Sequence, residues 1–104
     1  MPAPKRHPLV RVDLQSAYDW YEDESPGLGG EFREEFSHAY RKLGQRPLHY
    51  AVRFSGIRRV NLKRFPYGIF YTVKHDEVRV LAVLHGRRET KNILAGRRQT
   101  FSQF

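Results

Sequence analysis

The side chains in this sequence that are best suited to chemistry are basic, and they flank a run of predicted β-strands. Six of them lie close to the ends of those strands: Arg58, Arg59, Lys63, Arg64, Arg87 and Arg88. Arginine forms paired hydrogen bonds with phosphate and carboxylate groups and stays ionised in proteins. Around an RNA phosphate, such a set could also stabilise the charge that develops during strand scission. The pattern therefore predicts a surface that binds anionic groups.

Groups that could move protons are scarce in the sequence. His85 follows the last predicted strand, and histidine titrates in the range that acid–base chemistry needs. The simpler interpretation is a histidine that is hydrogen-bonded at a strand end. Tyr67 and Tyr71 share one face of their predicted strand, and we interpret them as packing residues rather than catalysts.

Metal and cofactor chemistry find little support in the composition. The 104 residues include no cysteine, so the sequence excludes thiolate zinc sites and disulfides. The five histidines show no spacing typical of metal ligands. The glycines at 27, 29 and 30 do not follow a buried strand, as a phosphate-binding loop requires. We therefore expect no metal and no cofactor.

The positive charge is concentrated in the C-terminal half of the chain. The net charge is +8, and residues 47–104 alone carry twelve basic and three acidic side chains. Such a field attracts nucleic acid, the ribosome or an acidic protein. No apolar run reaches the roughly 18 residues of a membrane span, and the N-terminus lacks the apolar stretch of a signal peptide. We expect a cytoplasmic protein with no membrane partner.

The elements that must position the basic residues are three strands joined by tight turns. Alternating and β-branched residues predict strands over residues 57–65, 67–74 and 78–85, with hairpin connections. The alternation of the first strand is imperfect, and we expect a bulge or register break there. The last strand is apolar on both faces near Leu81–Leu84, which predicts an interior position in its sheet.

Two amphipathic helices precede the strands. Apolar residues at helical spacing predict helices over about 8–24 and 28–46, with Ser25-Pro26-Gly27 between them. Residues 3–7 predict a short edge strand, and residues 48–54 fit either a loop or an irregular strand. The tail 89–104 fits either a short docked helix or a frayed end. The sequence predicts one α+β domain over 1–104, an α-helical hairpin packed on a twisted antiparallel β-sheet of three to four strands.

Several stretches together resemble a known family. They are HPLVRVDLQSAYDWYEDESPGLGGEFREEF in the helices, IRRVNLKRFPYGIFYTV in the strands, and VLAVLHGRR at the end of the last strand. These segments are similar to the RelE/ParE superfamily of toxins from type II toxin–antitoxin modules, and they are most similar to its plasmid stabilisation branch. The resemblance covers residues 6–88. It implies the α+β fold described above, a cognate antitoxin as partner, and a possible toxin–antitoxin hetero-oligomer.

The two branches of the superfamily differ in their targets. RelE-like members cleave mRNA on the ribosome, whereas ParE-like members act on DNA gyrase. Gly68 stands where the nuclease branch tends to place an arginine, and Lys91–Leu94 lack the tyrosine that this branch places nearby. Arg88 does match a basic position of the nuclease branch. The resemblance therefore favours the ParE-like side.

The leading hypothesis is a cytoplasmic, non-enzymatic toxin that inhibits DNA gyrase. Its target-binding or partner-binding residues would be Arg58, Arg59, Arg64, Arg87 and Arg88. One alternative is a ribosome-dependent mRNA endoribonuclease whose catalytic residues would be Lys63, Arg64, His85 and Arg88. Another alternative is a non-toxic relative that serves as a binding module.

Overall fold

The computed structural model describes residues 3–101. The elements in that range are, in chain order, β1 (Lys5–Arg6), α1 (Leu9–Glu24), α2 (Leu28–Gln45), β2 (Val52–Phe54), β3 (Ile57–Asn61), β4 (Tyr67–Lys74), β5 (Glu77–His85) and α3 (Thr90–Phe101). The predicted α+β class and helical hairpin are confirmed. The helices begin and end within one residue of the predicted bounds.

The strands form one mixed sheet in the order β1-β5-β4-β3-β2. The prediction of three to four antiparallel strands is wrong, since the sheet has five strands and β1 runs parallel to β5. β1 and β2 contain only two and three residues, too few for a period of two to show in the sequence. β5 has a neighbour on each side, so its predicted interior position is confirmed.

The predicted strand over residues 57–65 is too long. β3 ends at Asn61, and the next five residues turn back so that the Leu62 amide donates to the Tyr67 carbonyl at 2.9 Å. Leu62 and Phe65 are buried within this connection. Their apolar side chains extend the pattern of β3, which explains why the prediction was too long. The register break expected in β3 lies elsewhere, in β2 and between Phe70 and Tyr71.

The helical hairpin closes tightly around two glycines. Gly27 adopts a left-handed backbone conformation with φ of 89°, which favours glycine. The Glu22 carboxylate accepts hydrogen bonds from the amides of Gly27 and Gly29 at 2.9 and 3.0 Å. A Cβ atom at Gly29 would lie 2.7 Å from the Tyr18 carbonyl oxygen. The linker can therefore bring α1 and α2 into contact only with glycine at position 29.

The sheet buries apolar side chains on both faces. The hairpin covers one face, where the core contains Val10, Ala17, Phe32, Phe36, Leu43, Val60, Ile69, Tyr71, Val80 and Val83. A second cluster, to which α3 contributes Leu94 and Phe101, also contains Ile57, Phe70, Leu81, Ala82 and Leu84. Of the two alternatives for the tail, the docked helix is confirmed through Phe101, and residues 102–104 lie outside the described residues. Within the described range, no helix is long and apolar enough to cross a membrane.

A buried ion pair ties α3 to α1 at the edge of β5. The Asp13 carboxylate accepts from the Val83 amide at 2.9 Å and from an Arg97 nitrogen at 2.8 Å. Arg97 also donates to the Leu81 carbonyl at 3.2 Å. β1 is too short to pair with this stretch of β5, so the ion pair satisfies backbone groups that an open edge would leave exposed.

Candidate functional site

The strand registers bring three separate segments together at one end of the sheet. Gly68 lies opposite Asn61 of β3 and Leu84 of β5. The Gly86 amide donates to the Pro66 carbonyl at 2.8 Å, which joins the end of β5 to the start of β4. We call this region the basic end of the sheet and define it by Arg59, Gly68, His85, Gly86, Arg87 and Arg88.

Arg59 lies across the basic end in a defined position. Its guanidinium carbon sits 5.0 Å from the centre of the Phe70 ring, and its Nε donates to the Asn61 carboxamide. A Cβ atom at Gly68 would lie 2.5 Å from the Arg59 Nε, and one at Gly86 would lie 3.3 Å from its Nη2. The two glycines therefore leave the space that the Arg59 side chain occupies.

The electrostatic environment of Arg59 suits an anionic ligand. Partial burial, together with the charge of Arg53, lowers the pKa of Arg59 from its ordinary value. Among residues 3–101, no carboxylate forms an ion pair with Arg59, Arg87 or Arg88. An anion placed here would relieve the repulsion between neighbouring guanidinium groups. Arg59 thus has a cationic neighbour and, among the described residues, no ion-pair partner.

His85 and Tyr67 lie side by side at the basic end, with ring centres 5.3 Å apart. The His85 Nδ1 accepts a hydrogen bond from the Arg87 amide at 3.0 Å, so this nitrogen holds the loop after β5. Burial raises the pKa of Tyr67, and the nearby charge of Arg88 opposes that shift only in part. The Tyr67 ring also packs 5.2 Å from Phe32 in the core. These contacts give both residues structural roles.

Tyr71 also belongs to the core, as the sequence predicted. It is fully buried, and its hydroxyl donates to the Pro47 carbonyl. Burial raises the pKa of Tyr71 to about 12. The side chain therefore stays protonated at neutral pH and anchors the segment that follows α2.

Three of the predicted site residues are engaged elsewhere. The Arg58 guanidinium donates to the carbonyl oxygens of Leu48 and Tyr50. Arg64 forms an exposed ion pair with Glu31 at 2.7 Å. The backbone amides of Lys63 and Arg64 both donate to the Glu35 carboxylate, which holds the connection between β3 and β4 against α2. Of the predicted set, Arg59 and His85 lie in the basic end, and the backbone amides of Arg87 and Arg88 donate to His85 in the loop that follows β5.

The sequence reasoning missed the residues that hold Arg59 in place. Asn61 and Gly68 were not expected to contact it, because the register that pairs them depends on where the connection after β3 begins. Arg59 and Asn61 alternate on one strand, and that spacing was the available signal. Arg53 lies on the short strand β2, and of the two alternatives for residues 48–54 the irregular strand is the one that the structure contains.

No metal site accompanies the basic end. Residues 3–101 contain no group of three or more histidine, aspartate or glutamate side chains that could hold a metal ion. An open cavity of about 660 Å³ lies away from the basic end, lined by α1, α2 and the segment before α1.

The comparisons with known proteins agree with this fold. No curated protein matches the chain. Nine chains of solved structures match it, among them one described as a chromosomal ParDE toxin–antitoxin system from P. aeruginosa. That chain is 22% identical, with a TM-score of 0.73, and the alignment covers 82% of this chain and 96% of that one. The family model of the ParE toxin of type II toxin–antitoxin systems, parDE, matches residues 5–90. The chain therefore belongs to the ParE toxin family.

Proposed function

We propose that this protein inhibits DNA gyrase by binding, without chemistry of its own, and that a cognate antitoxin neutralises it. The observation that supports this proposal most is the arrangement of Arg59 over Gly68. The space above Gly68, where the nuclease branch carries its own arginine, is taken by a guanidinium from the neighbouring strand. The result is a surface suited to binding anionic groups.

The proposed role of the basic end is to engage acidic or phosphate groups of the gyrase–DNA assembly. Arg59 is already held by Phe70 and Asn61, so little side-chain entropy is lost when it binds. Hydrogen bonds to charged groups contribute about 1.5–3 kcal/mol each. Arg87 and Arg88 lie on the exposed loop and add positive field that speeds association.

The gyrase proposal is tested by DNA supercoiling with purified gyrase. We expect the wild-type protein to inhibit supercoiling and Arg59→Gln to require about tenfold more protein for the same inhibition, as loss of one charged hydrogen bond predicts. Arg46→Gln removes the same charge from an exposed position directly after α2 and serves as the control. Equal inhibition by both variants would contradict the role of Arg59, and no inhibition by the wild type would contradict the gyrase proposal.

A ribosome-dependent endoribonuclease remains the second candidate, because Tyr67, His85 and Arg88 lie close together. Two observations count against the endoribonuclease. His85 Nδ1 already accepts a backbone hydrogen bond, and the raised pKa of Tyr67 leaves it protonated at neutral pH. This candidate predicts mRNA cleavage in a translating extract that Arg88→Ala abolishes without unfolding the protein. Absence of cleavage by the wild type would eliminate it.

The third candidate, a non-toxic binding module, makes a simple prediction. Strong expression of soluble protein would leave bacterial growth unchanged.

We propose that the protein acts in the cytoplasm, where both gyrase and an antitoxin would meet it. The antitoxin would carry an acidic segment that complements the net charge of +8.

A further inference from the structure

A second group of basic side chains surrounds a cavity at the other end of the sheet. The cavity has a volume of about 270 Å³, and β4, β5, α3 and the turn between β2 and β3 line it. Lys74, at the end of β4, follows Gly68 of the basic end by six residues, about 20 Å of extended chain. We call this cavity the distal cavity and define it by Gly56, Thr72, Lys74, Arg79, Arg98 and Phe101.

The strand register places two side chains of the distal cavity next to each other. Thr72 of β4 lies opposite Arg79 of β5. Because side chains alternate along a strand, Thr72 shares its face of the sheet with Phe70, which packs in the same cluster as Phe101. The guanidinium carbon of Arg79 lies 5.2 Å from the centre of the Phe101 ring. Such a contact holds a guanidinium by its face and leaves N–H groups at its edge available to a ligand.

The hydroxyl of Thr72 indicates that the distal cavity takes a polar ligand. Thr72 is only 9% exposed, and within residues 3–101 its hydroxyl forms no hydrogen bond. Buried polar groups in folded proteins almost always have a hydrogen-bond partner. Because Thr72 lines the cavity, a ligand or a solvent molecule placed there would supply that partner.

Two of the three cations at the distal cavity have no carboxylate partner within residues 3–101. Neither Lys74 nor Arg98 takes part in an ion pair there. Arg98 is held instead by the Ser55 carbonyl, to which its Nη1 donates at 2.6 Å. The third cation, Arg79, pairs through Nε with Glu77, a carboxylate that a lysine of β1 also contacts at 2.6 Å. The region of the cavity therefore carries more positive than negative charge.

We propose that the distal cavity binds the phosphate group of a small phosphate monoester. Its hydroxyl and its three cationic side chains belong to β4, β5 and α3, so they can contact the oxygens of a tetrahedral group from several directions. A monoester carries a charge of about −1.5 to −2 at pH 7, which matches the two cations without a carboxylate. Leu81 and Phe101 would contact an apolar part of the same ligand. The distal cavity shares no residue with the basic end, so this proposal does not depend on the inhibition of gyrase.

The test is an NMR titration of the isotope-labelled protein with phenyl phosphate at low salt. We expect saturable shifts of the Gly56, Thr72 and Arg79 amides, and about tenfold weaker binding by Lys74→Gln, as loss of one hydrogen bond between charged groups predicts. The matched control, Lys42→Gln, removes the same charge from an exposed position of α2, on the other face of the sheet, and should bind within about twofold of the wild type. Thr72→Val removes only the hydroxyl from a branched side chain and should weaken binding by about fivefold. No saturable shift in the wild type, unchanged binding by Thr72→Val, or equal weakening in the two lysine variants would overturn the proposal.

Three further probes test the chemical class of the ligand. Inorganic phosphate lacks the apolar part, methyl phenyl phosphate is a diester with a single charge, and benzoate is a carboxylate, so each should bind more weakly than phenyl phosphate. Equal binding of any of the three would contradict the assignment to a phosphate monoester. Arg59→Gln changes only the basic end and should leave the shifts at Gly56 and Thr72 intact. Loss of those shifts in Arg59→Gln would show that the ligand binds at the basic end, which would also contradict the proposal.

Discussion

Two arginines at different places on the sheet show how this fold uses its positive charge. Arg97, whose side chain is 12% exposed, pairs with the buried carboxylate of Asp13 and closes the edge of β5. Arg59 is also partly buried, but aromatic and amide contacts hold it, with no carboxylate partner among the described residues. The fold supplies a buried carboxylate to Arg97, which maintains the structure. For Arg59, which is held in place at the basic end, we expect the counter-charge to come from a ligand.

The largest effect should come from removing the counter-charge of Arg97. Asp13→Ala would leave a buried guanidinium and the Val83 amide without their acceptor, and removing one partner of a buried pair costs about 3–5 kcal/mol. Chemical denaturation of the variant measures this loss directly. Asp23→Ala removes an exposed carboxylate from the same helix and should change the free energy of unfolding by no more than about 0.5 kcal/mol. Similar losses in both variants would refute the distinction between the two arginines.

A smaller effect on stability, with a clear effect on function, should follow Gly68→Ala. The added Cβ would lie 2.5 Å from the Arg59 Nε, and the flexible arginine would move away before the backbone does. We expect gyrase inhibition to weaken in the same direction as for Arg59→Gln, with a nearly unchanged free energy of unfolding. Gly30→Ala is the control, because a Cβ atom there meets nothing within 4 Å. Full inhibition by Gly68→Ala would show that the position of Arg59 is unimportant.

The smallest expected effect is on the pH dependence of stability, and it concerns His7 in the connection between β1 and α1. His7 is buried, its Nδ1 accepts from the Leu9 amide at 3.1 Å, and its Nε2 lies 2.9 Å from the Thr100 hydroxyl. Burial, and then the charge of Arg97, lower the pKa of His7 below 6.5, while Asp13 opposes that shift. The unfolded chain therefore binds more protons as the pH falls through 6.5 towards the lower folded value, and stability decreases over that window. His7→Gln should show a flatter dependence of unfolding free energy on pH, and identical curves would contradict this role.

The elements that repeat a pattern were predicted most closely. The short edge strand predicted over residues 3–7 is found as β1, and the irregular strand that was one alternative for residues 48–54 is found as β2. β4 is an aromatic and β-branched run of eight residues, and β5 begins with alternating residues and continues as an apolar run. Both helices carry apolar stripes over four turns or more, so the positions of these elements follow from local patterns. β1 and β2 show no period because they are too short, and tertiary pairing alone makes them strands. The parallel pairing of β1 with β5 depends on how the helical hairpin folds back over the sheet, which no local pattern specifies.

The basic end of the sheet shows the same difference between what the local sequence predicts and what depends on tertiary structure. Arg59, Arg87 and Arg88 were predicted from residue type and from their nearness to strand ends. The contact between Arg59 and Gly68 depends on the β3–β4 register. The sequence did not indicate where β3 ends, because the buried residues Leu62 and Phe65 extend its apolar pattern beyond Asn61. Arg58 and Arg64 look equivalent to Arg59 in sequence, yet their neighbours give them backbone and carboxylate partners.

The measurement that tests the central claim most directly is pulse-labelled incorporation of thymidine and of methionine, within minutes of inducing this protein alone in bacteria. Binding to gyrase predicts that DNA synthesis falls first while translation continues, and that Arg59→Gln delays the fall whereas Arg46→Gln does not. A collapse of translation before DNA synthesis would contradict the gyrase account and favour the ribonuclease. If neither label changes while soluble protein accumulates, the proposal of a toxin is wrong.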